Sequence, residues 1–333
     1  MLLIKCKMKM NISDLKLKEL MPYVCTVLLV ALMTLSSEML HENEIIFPEI
    51  TALAVGYMVA PKRGWKVNGR RMLLLITTCA LAGVGIVRYS GLQVYTEMMI
   101  AFSLAQILFM YSGTTFAPFV SAIVLPVMLQ TESLIYPAAA FVLTLLVILF
   151  HKWFIANGLR VDDEYVPVML NSKDDWIDAV LRIICVAVIA FAAIKSGFKF
   201  IVAPPLLVAF TEFSRPRNKT RNKPIKTIAV ITLCSVIGAL SRYMLSVKME
   251  MPLTVSAIAA TCIMLAVIYF SGMYMPPVGA ITMLAMIIPE ESIFSYPVQI
   301  FVGSCLIVLL SRILFMKRQD RKMYDKEHEL EAI

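Results

Sequence analysis

Apolar runs of 14 to 23 residues recur along the chain between short polar and basic stretches. Their spacing predicts twelve helical segments: 22–40, 45–60, 72–88, 95–112, 116–130, 134–154, 177–195, 200–213, 227–244, 252–271, 274–289 and 293–315. Many of these approach the roughly 20 apolar residues an α-helix needs to cross a bilayer core about 30 Å thick. The expectation is an all-α protein, a polytopic transmembrane helical bundle. No polar stretch reaches domain size, which excludes a sizeable soluble catalytic domain.

Composition agrees. Hydrophobic residues make up 59% and charged residues 16% of the 333, against roughly 45–50% and about 25% in globular proteins. The net charge of +8 raises the question of nucleic acid, but the basic residues sit in short blocks between apolar runs, and no nucleic-acid motif is present. With the N-terminus inside and every segment crossing, 24 of the 31 Lys and Arg fall inside and five outside (Arg88, Lys195, Lys199, Arg242 and Lys248). Such an asymmetry orients a membrane protein and predicts a multi-pass protein of the plasma or inner membrane with both termini cytoplasmic. The same count permits pairs of short segments to be re-entrant. The first twenty residues alternate Lys with apolar residues and lack a small-residue cleavage site, so they read as a basic arm before a retained helix. The seven cysteines form no CxxC pair and the three histidines are far apart, so neither a disulfide framework, a metal site nor a cofactor is expected.

The two halves resemble each other. Ile76-Thr77-Thr78-Cys79 with Gly83 reappears as Ile231-Thr232-Leu233-Cys234 with Gly238, both at an offset of 155. Arg88-Tyr89 recurs as Arg242-Tyr243, Pro118-x-Val120-x-Ala122-Ile123 as Pro276-x-Val278-x-Ala280-Ile281, and Glu132-Ser133 with Tyr136-Pro137 as Glu291-Ser292 with Tyr296-Pro297. A duplication predicts a basic arm 1–21, a first repeat 22–155, a linker 156–176, a second repeat 177–316 and a tail 317–333. Six segments per copy make the copies parallel, a transporter habit.

Four segments are short and open on proline: Pro48, Pro118, Pro204-Pro205 and Pro276-Pro277. Proline is tolerated in the first helical turn and breaks what precedes it. Helix from Pro48 to Ala60 would be roughly 20 Å long at 1.5 Å per residue, short of the hydrocarbon core. Each such segment is therefore read as a non-helical entry followed by a half-helix. Two enter from outside and two from inside, giving nested inverted repeats. Their N-termini, meeting near the midplane, would offer free N–H groups and positive partial charge to an anion. Packing kinks are the plainer alternative. The substrate-binding candidates are Pro48, Glu49, Thr51, Pro118, Ser121, Pro204, Pro205, Pro276, Pro277, Gly279 and Thr282.

Residues 198–316 resemble the HPP family of integral membrane proteins. The resemblance rests on Ala203-Pro204-Pro205, on Ser214-Arg215-Pro216-Arg217-Asn218 beside that family's Pro-Arg-Asn stretch, and on Met275-Pro276-Pro277-Val278-Gly279-Ala280 beside its His-Pro-Pro-x-Gly-Ala signature. Met275 stands where the family has His, and Lys219-Thr220-Arg221 where it has glycines. The resemblance implies nitrite or nitrate as cargo.

Charges inside apolar segments are expensive and often functional. Glu49 belongs either to an outer acidic cluster with Glu42 and Glu44 or to the start of a half-helix, as a coupling group. Glu97 reads as a snorkelling carboxylate and Glu212 as half of an interfacial ion pair with Arg215 and Arg217. Arg88 and Arg242 read as interfacial anchors or as a basic vestibule. Asp162-Asp163-Glu164 and Asp174-Asp175 read as solvated linker. No HExxH, GxSxG or P-loop motif is present, so an enzyme is not expected. The reading is a transporter or channel for a small anion in the lipid bilayer, with a homo-oligomer left open. A membrane scaffold or signalling component is the alternative.

Overall fold

The computed structural model describes residues 12–161, 165–170, 172–215, 218 and 220–316, with side chains from residue 20 onward. In chain order the helices are α1 (Ile12–Leu40), α2 (Glu49–Ala54, continued by a π turn to Val59), α3 (Gly69–Ser90), α4 (Val94–Tyr111), α5 (Phe119–Leu129) and α6 (Ile135–Ala156). They continue as α7 (Lys173–Lys195), α8 (Pro204–Phe213), α9 (Pro224–Ser241, continued by a π turn to Lys248), α10 (Leu253–Ser271), α11 (Pro276–Leu284) and α12 (Tyr296–Leu310, continued to Met316). No strand occurs among the described residues. Eight of these helices, all but α2, α5, α8 and α11, are long and apolar enough to cross a membrane.

Local chemistry sets many of the boundaries. Asn68 accepts the Arg71 amide at 2.8 Å and opens α3. Ser172 and Asp175 form a reciprocal capping box at the start of α7, satisfying two amides that would otherwise be orphaned. Gly91 and Gly272 end α3 and α10 with left-handed φ of 59° and 64°, which glycine adopts without a Cβ clash. The long helices bury one face and expose Leu, Val and Phe on the other. The four short helices are buried on nearly every side, as expected for helices that are apolar all round.

Two rows of hydrogen bonds mark the ends of the bundle. At the basic end, Arg160 donates to Met58 O and Val59 O, Arg71 to Ser112 O and Arg215 to Thr115 O. At the opposite end, Gln130 donates to Glu97, Lys199 to Met128 O and Arg242 to Ala285 O. The chain thus runs from the opposite end towards the basic end in α2 and α8, and the other way in α5 and α11. Tight spots hold the short helices in place. A Cβ on Gly83 of α3 would lie 2.4 Å from Ile123 O in α5, and one on Gly238 of α9 would lie 2.4 Å from Thr282 O in α11.

Several boundaries differ from the sequence expectation. The arm 1–21 is helical from Ile12, and α1 runs through Pro22. Asp174 and Asp175 are the first turn of α7 rather than solvated linker, with Asp175 completing its cap. The other linker acids, Asp162 to Glu164, the start of the arm and the tail 317–333 lie outside the described residues.

Candidate functional site at the junction of the short helices

The proline positions differ in kind. Pro48 and Pro118 are N-caps of α2 and α5, whereas Pro204-Pro205 and Pro276-Pro277 occupy the first two helical positions of α8 and α11. A proline pair there deletes two of the amides that a helix start would otherwise offer. The next amides are already bonded, Leu206 N–H to Ala203 O at 2.8 Å and Val278 N–H to Met275 O at 3.1 Å. In α2 and α5, Ile50, Thr51, Val120 and Ser121 are also bonded backward, and the Glu49 amide is directed at its own carboxylate. The expectation that four helix starts present free N–H groups is therefore corrected: α8 and α11 do not, because proline has removed the donors.

Glu49, the first residue of α2, is 1% exposed. Its Oε1 accepts the Ser121 hydroxyl from the first turn of α5, so the starts of two oppositely directed short helices meet through their side chains. Its Oε2 is buried without a hydrogen-bond partner, a rare state for a native polar atom. Burial separates Glu49 from Glu42 and Glu44 of the preceding loop, since Ile46 and Phe47 between them are buried as it is.

A third short helix completes the junction. Gly279 of α11 lies against α2, where a Cβ would be 2.9 Å from Thr51 C and 3.0 Å from Ala52 N. Near the other end of this contact, a Cβ on Gly56 would be 2.9 Å from Pro276 Cγ. Thr51 Oγ1 is buried and unpartnered, like Glu49 Oε2. Thr282 is not part of this set: its hydroxyl is spent on Val278 O at 3.0 Å, and its carbonyl faces α9. Pro204 and Pro205 enter only through α8, which packs against α5 and α11. Glu49, Thr51, Ser121 and Gly279 come together, while Pro276 lies further along α2 against Gly56 and Thr282 turns to Val278 and α9.

Sequence reasoning missed a second buried polar group. Arg182 of α7, 3% exposed, donates through Nε to Gln106 Oε1 of α4 at 2.7 Å and through Nη1 to Ser214 Oγ at 3.1 Å. Gln106 donates in turn to Thr211 of α8 at 3.2 Å. Arg182 borders a cavity of about 150 Å³ together with Asp175, Asp178 and Arg215. One Arg and one Gln inside apolar runs were the available signal. The structure also places three further charged residues. Glu97 does not snorkel but is 2% exposed, accepting from Ser90 and Gln130. Glu212 takes its hydrogen bond from Trp65 Nε1 at 2.7 Å, and Arg215, whose charge acts on it, donates to Thr115 O; Arg217 lies outside the described residues. Arg242 donates to the carbonyls of Ala285 and Ile288, just past the end of α11, and Arg88 is exposed.

No family model, curated protein or solved structure matches the chain.

Proposed function

We propose that the chain is a multi-pass membrane transporter for a small anion, built from two parallel six-segment copies with α2, α5, α8 and α11 as proline-led half-helices. Equivalent elements pack on equivalent elements, which supports the duplication. Within the copies, α3 packs on α5 as α9 does on α11; between them, α1 packs on α10 as α7 does on α4, and α2 on α11 as α8 does on α5. Tyr136 donates to Ala122 O in α5 as Tyr296 donates to Ile281 O in α11. The opposed directions of α2 and α5, and of α8 and α11, support inverted units within each copy.

One observation carries the reading: a buried carboxyl, Glu49, at the start of one short helix and bonded to the start of another, with its second oxygen unpartnered. Buried ionisable groups at interrupted helices are the usual currency of carriers. A small anion bound beside Thr51, Ser121 and the starts of α2 and α5 would face the Glu49 carboxylate. Two negative charges a few ångströms apart in a low-dielectric interior repel by several kcal/mol even at an effective dielectric constant of about 20. Anion and proton therefore enter together, and the protonated carboxyl becomes a donor to the anion. The contact between Gly279 and Thr51 closes the junction, so passage requires α2 and α11 to part. The resemblance to HPP proteins supplies nitrite or nitrate as cargo, and the basic end is the cytoplasmic side.

Reconstitution of the full chain in liposomes tests this. Nitrite or nitrate uptake should steepen as the outer pH falls, and Glu49→Gln should retain uptake with a flattened pH profile. Absence of uptake of either ion, or an unchanged pH profile in Glu49→Gln, removes the coupling scheme.

A further inference from the structure

Between α1 and α10, at the basic end, lies an open groove of about 1040 Å³. Its walls are the side chains of Val24, Leu28, Cys262 and Ala266, with Phe270 at its rim, 84% exposed. Its polar groups lie together: Arg160, Tyr23 and Tyr274, with the two tyrosine hydroxyls 3.4 Å apart. The equivalent helix pair, α4 and α7, lines a small polar cavity of about 150 Å³ beside Arg182.

Arg160 is half-buried, and burial lowers its pKa, opposed by the neighbouring Tyr23 and Tyr274. It is hydrogen-bonded only to uncharged carbonyls, through Nε and Nη2, and Nη1 makes no hydrogen bond among the described residues. Lys62 and Arg63 follow Pro61, which also lines the groove. A cation at the mouth of an apolar slot, on the end of the bundle where the basic loops gather, complements an anionic head joined to a hydrocarbon tail. Basic pockets between membrane helices bind anionic lipid heads for this reason.

We infer that this groove is a binding site for an anionic glycerophospholipid, with its phosphate on Arg160 and the Tyr23–Tyr274 hydroxyl pair and one acyl chain along α1 and α10. The site goes beyond the transport reading and does not depend on it. It touches the transport machinery at one point, because Arg160 holds the carbonyls of Met58 and Val59 at the end of the helix that begins with Glu49. The lipid head competes for the same guanidinium, so occupancy biases the position of α2.

Native mass spectrometry of the delipidated full chain, titrated with dioleoyl phosphatidylglycerol or dioleoyl phosphatidylcholine, tests the site. Phosphatidylglycerol should bind more tightly. Arg160→Gln should lose about fivefold of that preference, the factor matching about 1 kcal/mol per basic residue at an anionic surface, while Arg160→Lys should keep most of it. Ala266→Trp, which fills the groove away from Arg160, should weaken both lipids with helicity and thermal midpoint unchanged. Equal binding of the two lipids, or an Arg160→Gln protein with undiminished preference, overturns the inference. Stabilisation by inorganic phosphate equal to that by phosphatidylglycerol overturns it as well, since the head would then bind without the groove. So does a dimer that Ala266→Trp dissociates, because the groove would then be filled by a second copy.

Discussion

Glu38, in the last turn of α1, holds the start of α10: its carboxylate accepts the Leu253 amide, the Thr254 amide at 3.3 Å and the Thr254 hydroxyl. The cap for one helix is thus supplied by another, more than two hundred residues away in sequence. A carboxylate at a helix N-terminus satisfies orphan donors and meets the positive end of the helix dipole.

Replacing Glu38 with Ala should therefore cost about 1–2 kcal/mol, the scale of a lost N-cap. Hydrogen exchange at Leu253 to Val255 should accelerate while exchange in α3 stays unchanged. Uniform acceleration through the whole chain would instead mark a global role.

Gly279 sits where a side chain has no room between α11 and the backbone of α2. Gly279→Ala should lower stability by roughly 1–3 kcal/mol, as overpacking does, and Gly279→Val by more. Thermal unfolding in detergent measures the series. Wild-type stability in both variants would show that α2 and α11 separate freely, contrary to the closed junction.

Gly83 and Gly238 meet the carbonyl oxygens of equivalent short helices at the same 2.4 Å for an added Cβ. Small residues let membrane helices approach this closely. Gly83→Ala and Gly238→Ala should destabilise by similar amounts if the copies are duplicates. A loss at one position with none at the other would argue against duplication at this contact.

Ser121 donates its hydroxyl to Glu49, and Ala in its place leaves the carboxyl with no side-chain partner. Ser121→Ala should shift the pH profile of uptake while leaving thermal stability within about 1 kcal/mol of wild type, the net scale of one hydrogen bond. A stability loss without any change in pH profile would make the pair structural only.

Sidedness can be read with single cysteines in a background cleared of native ones. Gly64, where an added Cβ meets nothing within 4 Å, and the exposed Asn222 lie at the basic end, and Glu291 lies at the other. In intact cells an impermeant thiol reagent should label a cysteine at Glu291 and spare those at Gly64 and Asn222. The reverse pattern would turn the protein over; labelling at both ends would break the topology.

The eight long helices were legible because a bilayer span is a local property: about twenty apolar residues in a row satisfy it whatever they touch. The short helices were legible for a related reason, since proline fixes φ and removes a donor wherever it stands. What each buried polar residue does was not legible. Glu97 read as a snorkelling carboxylate because its partners, Ser90 at the end of α3 and Gln130 just past α5, lie outside its own helix. Glu212 read as an ion pair because Arg215 is near in sequence, whereas Trp65, 147 positions away, is near in space. The expectation of four donor-bearing helix starts needed only prolines in the sequence, but the proline pairs and the backbone bonding of α8 and α11 left those starts without free donors. Composition and punctuation determine where this chain forms helices and that they suit a membrane. Partner choice across helices is set by packing between distant segments, and only the tertiary structure could place Glu49 against Ser121, Gly279 against Thr51 and Arg160 at the mouth of a groove.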